Sequence, residues 1–232
     1  MIVEEIYEDR YNLALFQEAA SDYLLITFNH MGKPGRRSFW GQDAAKKLGI
    51  SCLGIVPKEA HWYPDHAMQL MLPSLLAITS RYKEIITYGF SMGAYASLKY
   101  SRKLNANKAL AFSPQSSIDP ELVNEFDTRF VSFYKENWHK GMKIKSTDLI
   151  DNSFIFLDPE FIEDLKQAKL IQMEKSIQEI YVPKSGHKTI DVVANTLRLG
   201  DLLDTVRMDS SIAHSLLQKR LYEWSDIDSL KK

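Results

Sequence analysis

The chain has 232 residues, 45% of them hydrophobic, which supports one substantial core and requires no second one. Its 29 Lys+Arg and 30 Asp+Glu nearly cancel, so no global field favours nucleic acid or an anionic membrane as a partner. One cysteine, Cys52, excludes an internal disulfide and any cysteine-based metal spacing. No apolar run approaches the roughly 20 residues that span a bilayer. The opening "MIVEEIYEDRYN" is acidic where a secretory leader is basic. The expectation is a soluble cytoplasmic protein built as one domain over 1–232.

In chain order, "IVEEIY" and "NLALF" read as two short strands joined by the polar turn "EDRY", a hairpin at a sheet edge. "DYLLITF" (Asp22–Phe28) is a nearly continuous apolar run, as expected of a strand covered on both faces. The Gly/Pro loop "NHMGKPGRRS" leads to a helix around Phe39–Leu48 and a strand "ISCLGIV" (Ile50–Val56). "PDHAMQLMLPSLLAITSRY" repeats apolar residues at helical spacing despite Pro73. A fifth strand "EIITYGF" follows, then a helix from Met92 to about Lys103 and a sixth strand "KALAFS" (Lys108–Ser113).

The rhythm breaks over 114–152, where "DPELVNEFDTRFVSFYKENW" reads as an acidic, helix-like stretch carrying Phe126, Phe130, Phe133, Tyr134 and Trp138. Alternation resumes with the strand "SFIFLD" (Ser153–Asp158), a helix from about Glu160, the strand "IQEIYV" (Ile177–Val182), the loop "PKSGHK" and a helix from Thr189. Residues 208–232 read as one more helix with a charged tail. Strands alternating with helices of this length imply a mostly parallel sheet wrapped on both faces. Ligands in such sheets bind outside the carboxyl ends of the strands.

One of those strand ends carries "YGFSMGA". A Gly-x-Ser-x-Gly turn between a strand and a helix forces a sharp corner that exposes the hydroxyl, here that of Ser91. The Met92 backbone N–H, at the helix N-terminus, is placed to face a developing oxyanion. A serine hydroxyl is a weak nucleophile until a base takes its proton. Among the six histidines, His187 follows the last strand at the same sheet edge and is the expected base. His139 and His214 lie on charged helical stretches and read as surface residues. His61 and His66 flank Asp65 at a spacing poor for one helix face, so no metal is expected.

These motifs resemble the α/β-hydrolase superfamily over residues 1 to about 206: opening hairpin, nucleophile after the fifth strand, insertion after the sixth, histidine after the eighth. The resemblance implies a three-layer fold around a mostly parallel eight-stranded sheet, with 114–152 as a small helical cap, the alternatives for that segment being an extra helix completing the core or a partner-binding face. "HWYPDHA", "YGFSMGAYASLKYS", "AFSPQ" and "LDPEFIEDLKQA" are also similar to a bacterial group of small hydrolase-like proteins associated with surface polysaccharides. The superfamily order Ser…Asp/Glu…His implies an acid on "FLDPEFIEDLKQA", after the seventh strand. The usual Gly-x-x-Asp spacing falls near Phe161, which cannot serve. Asp158 at the strand end is preferred, with Asp164 in reserve and Glu160 third, although Asp158 before Pro159 also suits a helix N-cap. A second oxyanion donor is implied on "FNHMGKPG", from the backbone of His30 or Met31, with the His30 imidazole as an alternative donor or a brace for the loop. Trp62 and Tyr63, beyond the fourth strand, are candidates to line a substrate pocket.

The resulting expectation is a serine hydrolase cleaving a carboxylic ester or thioester through an acyl-enzyme on Ser91, with His187 as base, Asp158 as acid and no cofactor. The substrate would be a small-molecule ester or an acylated glycan. An acyltransferase on the same residues and a non-catalytic binding protein that keeps the fold are the alternatives. A homodimer through the C-terminal helix is left open.

Overall fold

The computed structural model describes residues 2–32, 35 and 37–229. Eight strands form one sheet: β1 (Val3–Glu8), β2 (Asn12–Gln17), β3 (Tyr23–Phe28), β4 (Ser51–Pro57), β5 (Glu84–Phe90), β6 (Lys108–Phe112), β7 (Ser153–Leu157) and β8 (Gln178–Tyr181). Their spatial order is β1-β2-β4-β3-β5-β6-β7-β8. β1 and β2 pair antiparallel, β2 pairs antiparallel with β4, and every pair from β4 to β8 is parallel. The opening hairpin therefore sits at one edge, as its short strands and polar turn imply.

Alternation along the strands builds two cores. In β3, Leu24, Ile26 and Phe28 join one cluster while Tyr23 and Leu25 join the other, the period of two that a doubly covered strand requires. The first cluster is closed by α2 (Asp65–Thr79), α3 (Met92–Lys99) and α6 (Ile162–Glu174) through Met68, Met71, Tyr95, Leu98 and Ile171. The second is closed by α1 (Gln42–Leu48), α7 (Thr196–Val206) and α8 (Ser210–Ser229) through Ala45, Leu202, Leu203 and Leu217. Ala213, Leu217 and Leu221 recur every fourth residue and are fully buried, so α8 presents one apolar stripe to its own sheet. Gln218 on α8 accepts from Tyr181 N–H at 2.9 Å and donates to Tyr181 C=O at 3.1 Å, covering the β8 edge that would otherwise be open.

The segment between β6 and β7 differs from its expected form. Its helices are only α4 (Pro120–Val123) and α5 (Glu136–His139), four residues each, with a 3₁₀ turn at Val131–Phe133. Its aromatics are held by tertiary contacts in place of a helical stripe. His139, expected at the surface, is 3% exposed: its Nδ1 accepts from Lys135 N–H at 2.8 Å and its Nε2 faces His61 C=O at 3.0 Å.

The chain passes from β4 across β3 to β5, so strand order reverses there and leaves a crevice beyond their carboxyl ends. Asn29 and His30 leave β3 at this point, and Ser91 leaves β5.

Candidate active site

Ser91 joins β5 to α3 with φ 53° and ψ −121°, a backbone conformation that a non-glycine residue adopts only where its surroundings enforce it. Its N–H donates to Phe112 C=O at 2.9 Å, and its C=O accepts from Tyr95 N–H at 3.0 Å, so the corner is tied on both sides. The two glycines of the motif are required by space. A Cβ on Gly89 would lie 2.1 Å from Gly93 O, and one on Gly93 would lie 2.2 Å from Phe28 O at the end of β3. The helix is thereby pressed against the strand ends, with Met92 as its first residue. The N–H of that residue is among those a helix start leaves without an internal acceptor.

His187 arrives on the loop after β8. Its Nε2 lies 3.0 Å from Ser91 Oγ, and its Nδ1 lies 2.8 and 3.0 Å from Asp164 Oδ2 and Oδ1. Asp164 stands in the first turn of α6 and is 1% exposed. The rings of Phe90, Phe130 and Phe161 surround the imidazole at centroid distances of 5.3, 5.8 and 6.2 Å.

The carboxylate facing the imidazole is therefore Asp164, and the preference for Asp158 is corrected. Asp158 ends β7 as expected, but its carboxylate is consumed by backbone. Oδ2 accepts from Ser185 N–H at 2.8 Å and Gly186 N–H at 2.7 Å, and Oδ1 accepts from Glu160 N–H at 3.0 Å. Lys184 and Gly186 both have positive φ, 60° and 54°, so Asp158 pins a tightly turned loop just ahead of His187. Glu160 is exposed and meets neither Ser91 nor His187 through any described bond.

The loop after β3 is fixed by Asn29, whose Oδ1 accepts from Trp40 N–H at 2.7 Å. His30 Nδ1 accepts from Gly32 N–H at 3.1 Å, and its ring lies 5.7 Å from Phe90. Through Nδ1 the imidazole braces the loop. Trp62 and Tyr63 are corrected as pocket-lining residues: they are 1% and 0% exposed. Tyr63 Oη donates to Asn29 C=O at 2.6 Å, bolting the β3 loop from below. Trp62 Nε1 donates to Gln115 Oε1 at 3.1 Å, and its ring supports Phe130 and Phe133 at 5.3 and 5.2 Å. Both act one layer behind the site.

Beside the site lies a cavity of about 320 Å³ lined mainly by apolar groups, among them Trp40, Tyr88, Phe90, Ile190 and Leu199, with His30 and Lys188 also on its wall. Trp40 stacks on Tyr88 at 4.6 Å. Phe90 lines this space, and its ring lies 5.3 Å from that of His187, which is not itself on the cavity wall.

Sequence reasoning passed over a charged group behind His187. Arg129, in "EFDTRF", reaches Asp164 from the segment between β6 and β7 and is itself held by Asp127. An Asp-x-Arg pair inside an aromatic stretch was the available signal. Burial by itself would raise the Asp127 carboxyl, but hydrogen bonds from Arg129 and Gln167 outweigh it and hold it below the usual value. His61 sits apart from the site, with burial lowering it to about 4. Its Nδ1 accepts from Tyr63 N–H and its Nε2 faces Tyr11 C=O, at 3.0 and 3.2 Å, so both ring nitrogens are engaged by backbone.

The strand order, the two helical layers and the corner after β5 together define an α/β-hydrolase fold. No protein-family model matches the chain, and no curated protein matches it in sequence. Among solved structures, it is similar to the capsule O-acetyltransferase of Neisseria meningitidis serogroup A, with TM-score 0.62 and 11% identity over 87% of this chain and 93% of that one. A sugar hydrolase from Lactococcus lactis aligns at TM-score 0.54 and 12% identity over 99% and 98% of the two chains. An esterase from Pyrococcus furiosus aligns at 0.52 and 15% over 83% and 86%. At these identities the likeness concerns the fold. No helix among the described residues is long and apolar enough to cross a membrane.

Proposed function

We propose that this chain is a serine hydrolase acting on carboxylic esters or thioesters. The observation that carries the reading is the continuous hydrogen-bonded line from Ser91 Oγ through both nitrogens of His187 to Asp164. With Nδ1–H held by the carboxylate, Nε2 presents its lone pair to the hydroxyl, the tautomer a general base requires. Ser91 Oγ attacks the carbonyl carbon while its proton passes to Nε2. The backbone N–H groups of Met92 and of the His30 loop hold the oxygen that becomes negative. Collapse of the tetrahedral species expels the alcohol or thiol, which takes the proton from Nε2. Water then enters by the same route in reverse and releases the acid. The cavity beside Phe90 accommodates the apolar part of the substrate.

Acyl transfer is the second reading, and the shared fold with a capsule O-acetyltransferase makes it worth testing. It needs the same acyl-enzyme with a sugar hydroxyl in place of water. An acylated glycan would then be the product, where the hydrolase reading makes it a substrate.

A fluorophosphonate probe tests the nucleophile. Ser91 should be labelled in the wild type, His187→Ala should slow labelling by orders of magnitude, and Ser91→Ala should abolish it. A folded protein that remains unlabelled would identify a non-catalytic binding protein on the hydrolase fold. Turnover of p-nitrophenyl acetate with and without added polyols separates hydrolysis from transfer, because an acceptor alcohol diverts the acyl group from acetate to a new ester.

A further inference from the structure

Behind the imidazole, the segment between β6 and β7 supplies a charged chain that ends on Asp164. Arg129 forks onto Asp127, with Nε on Oδ1 at 2.7 Å and Nη2 on Oδ2 at 2.8 Å, and the same Nη2 donates to Asp164 Oδ1 at 2.8 Å. Asp127 is fixed in turn by Gln167 Nε2 at 2.9 Å, and Gln167 is fastened to Ser116 N–H and Ser117 C=O. Asp127 is 2% exposed and Asp164 1%. The guanidinium carbon lies 5.1 Å from the ring centroids of Phe130 and of Phe161, the same two rings that face His187.

An arginine on the carboxylate that steadies an imidazole creates a conflict. It orients that carboxylate, yet its positive charge opposes formation of an imidazolium nearby. Asp127 resolves the conflict. With neutral imidazole, the two carboxylates and one guanidinium carry a net charge of about −1, and proton transfer from Ser91 brings the cluster to neutrality. The other charged and titratable groups near His187 are the same in every variant below and so drop out of the comparison: Asp158, a buried carboxylate held by backbone N–H groups of the His187 loop, Lys184, paired with Asp226, exposed Lys188, and His30 beyond the Phe90 ring.

We propose that Arg129 and Asp127 are positioning residues for this site: Arg129 aims the Asp164 carboxylate, and Asp127 cancels the arginine's charge so that Asp164 stabilises the imidazolium. The kinetic consequence rests on the hydrolase reading above; the electrostatic arrangement does not.

The test is the ring titration of His187 followed by NMR on the full chain. Asp127→Asn removes a negative charge, so the midpoint falls by about 1 pH unit. Arg129→Met removes a positive charge, so the midpoint rises by a similar amount. The double variant restores the net charge, and its midpoint returns to within about half a unit of wild type, a reversal that packing damage does not produce. Arg129→Lys keeps the charge and stays near wild type. If Asp127→Asn does not fold, the contrast between Arg129→Met and Arg129→Lys decides alone. Midpoints that coincide in all variants, or move in one direction in both single variants, overturn the proposal. In a protein that still turns over esters, that result leaves the hydrolase reading standing; unlabelled Ser91 with the opposed shifts intact does the reverse.

Discussion

Two regions of this molecule use the same residue types to different ends. Behind β4, His61 gives both ring nitrogens to backbone groups, Tyr63 N–H and Tyr11 C=O. At the crevice, His187 gives both to side chains, the Ser91 hydroxyl and the Asp164 carboxylate. The aspartates divide the same way: Asp158 is spent on three backbone N–H groups, whereas Asp164 meets His187 and Arg129. A backbone partner fixes a loop and has no proton to move. A side-chain partner with a titrating or nucleophilic atom makes chemistry available. For the two aspartates, buried alike, the identity of the partner is what separates scaffold from site.

The strongest way to break this comparison is to neutralise each aspartate in turn. Asp164→Asn is expected to lower kcat for p-nitrophenyl esters by about 10³–10⁴, because the amide holds the wrong tautomer and does not stabilise the imidazolium. Asp158→Asn keeps one acceptor oxygen for the His187 loop, so a fall in kcat below about tenfold is expected, with about 1–2 kcal/mol of stability lost. Equal kinetic losses in the two variants would erase the distinction.

The histidines sharpen the comparison through pH. Burial lowers His61 to about 4 in the fold against 6.5 in an ordinary setting. The unfolded chain therefore binds the extra proton first as pH falls. The stability that neutral His61 contributes is complete above about pH 6.5 and is lost toward pH 4, up to roughly 3 kcal/mol. Urea titrations of wild type and His61→Gln at several pH values read this directly: their difference should narrow from pH 7 to pH 4. A constant difference would mean that His61 is not the group responsible.

A smaller effect is expected at Asp127, whose depressed carboxyl contributes stability above the ordinary carboxylate range near 4 and loses it at lower pH. The melting temperatures of Asp127→Asn and wild type should converge as the pH falls below the ordinary carboxylate range and the native carboxylate protonates. A gap that persists there assigns the difference to packing.

The elbow was legible because its chemistry is local. Gly89, Ser91 and Gly93 are spaced by the corner itself, and a Cβ at either glycine would collide with backbone. The strands were legible for a similar reason, since two-sided burial writes an apolar run into β3, β4 and β5. The acid was not. Asp158 and Asp164 are both buried acids on one short stretch, and what separates them is that α6 begins at Ile162, which turns Asp164 toward the imidazole from its first turn. The segment between β6 and β7 was misread because its aromatic spacing resembles a helix, while its side chains are held by distant partners: Phe130 by Trp62, Arg129 by Asp164, His139 by His61. Trp62 and Tyr63 sit at a strand end but take positive φ, 46° and 48°, which turns them into the core and away from the crevice.

The most direct measurement is the intact mass of the protein after rapid acid quench of its reaction with p-nitrophenyl acetate. One acetyl group on Ser91 should accumulate in the wild type, be absent in Ser91→Ala, and form far more slowly in His187→Ala and Asp164→Asn than in Asp158→Asn. Acetate release with no acetyl on Ser91, or an acetyl group whose formation ignores His187 and Asp164, would contradict the assignment of these residues to the reaction.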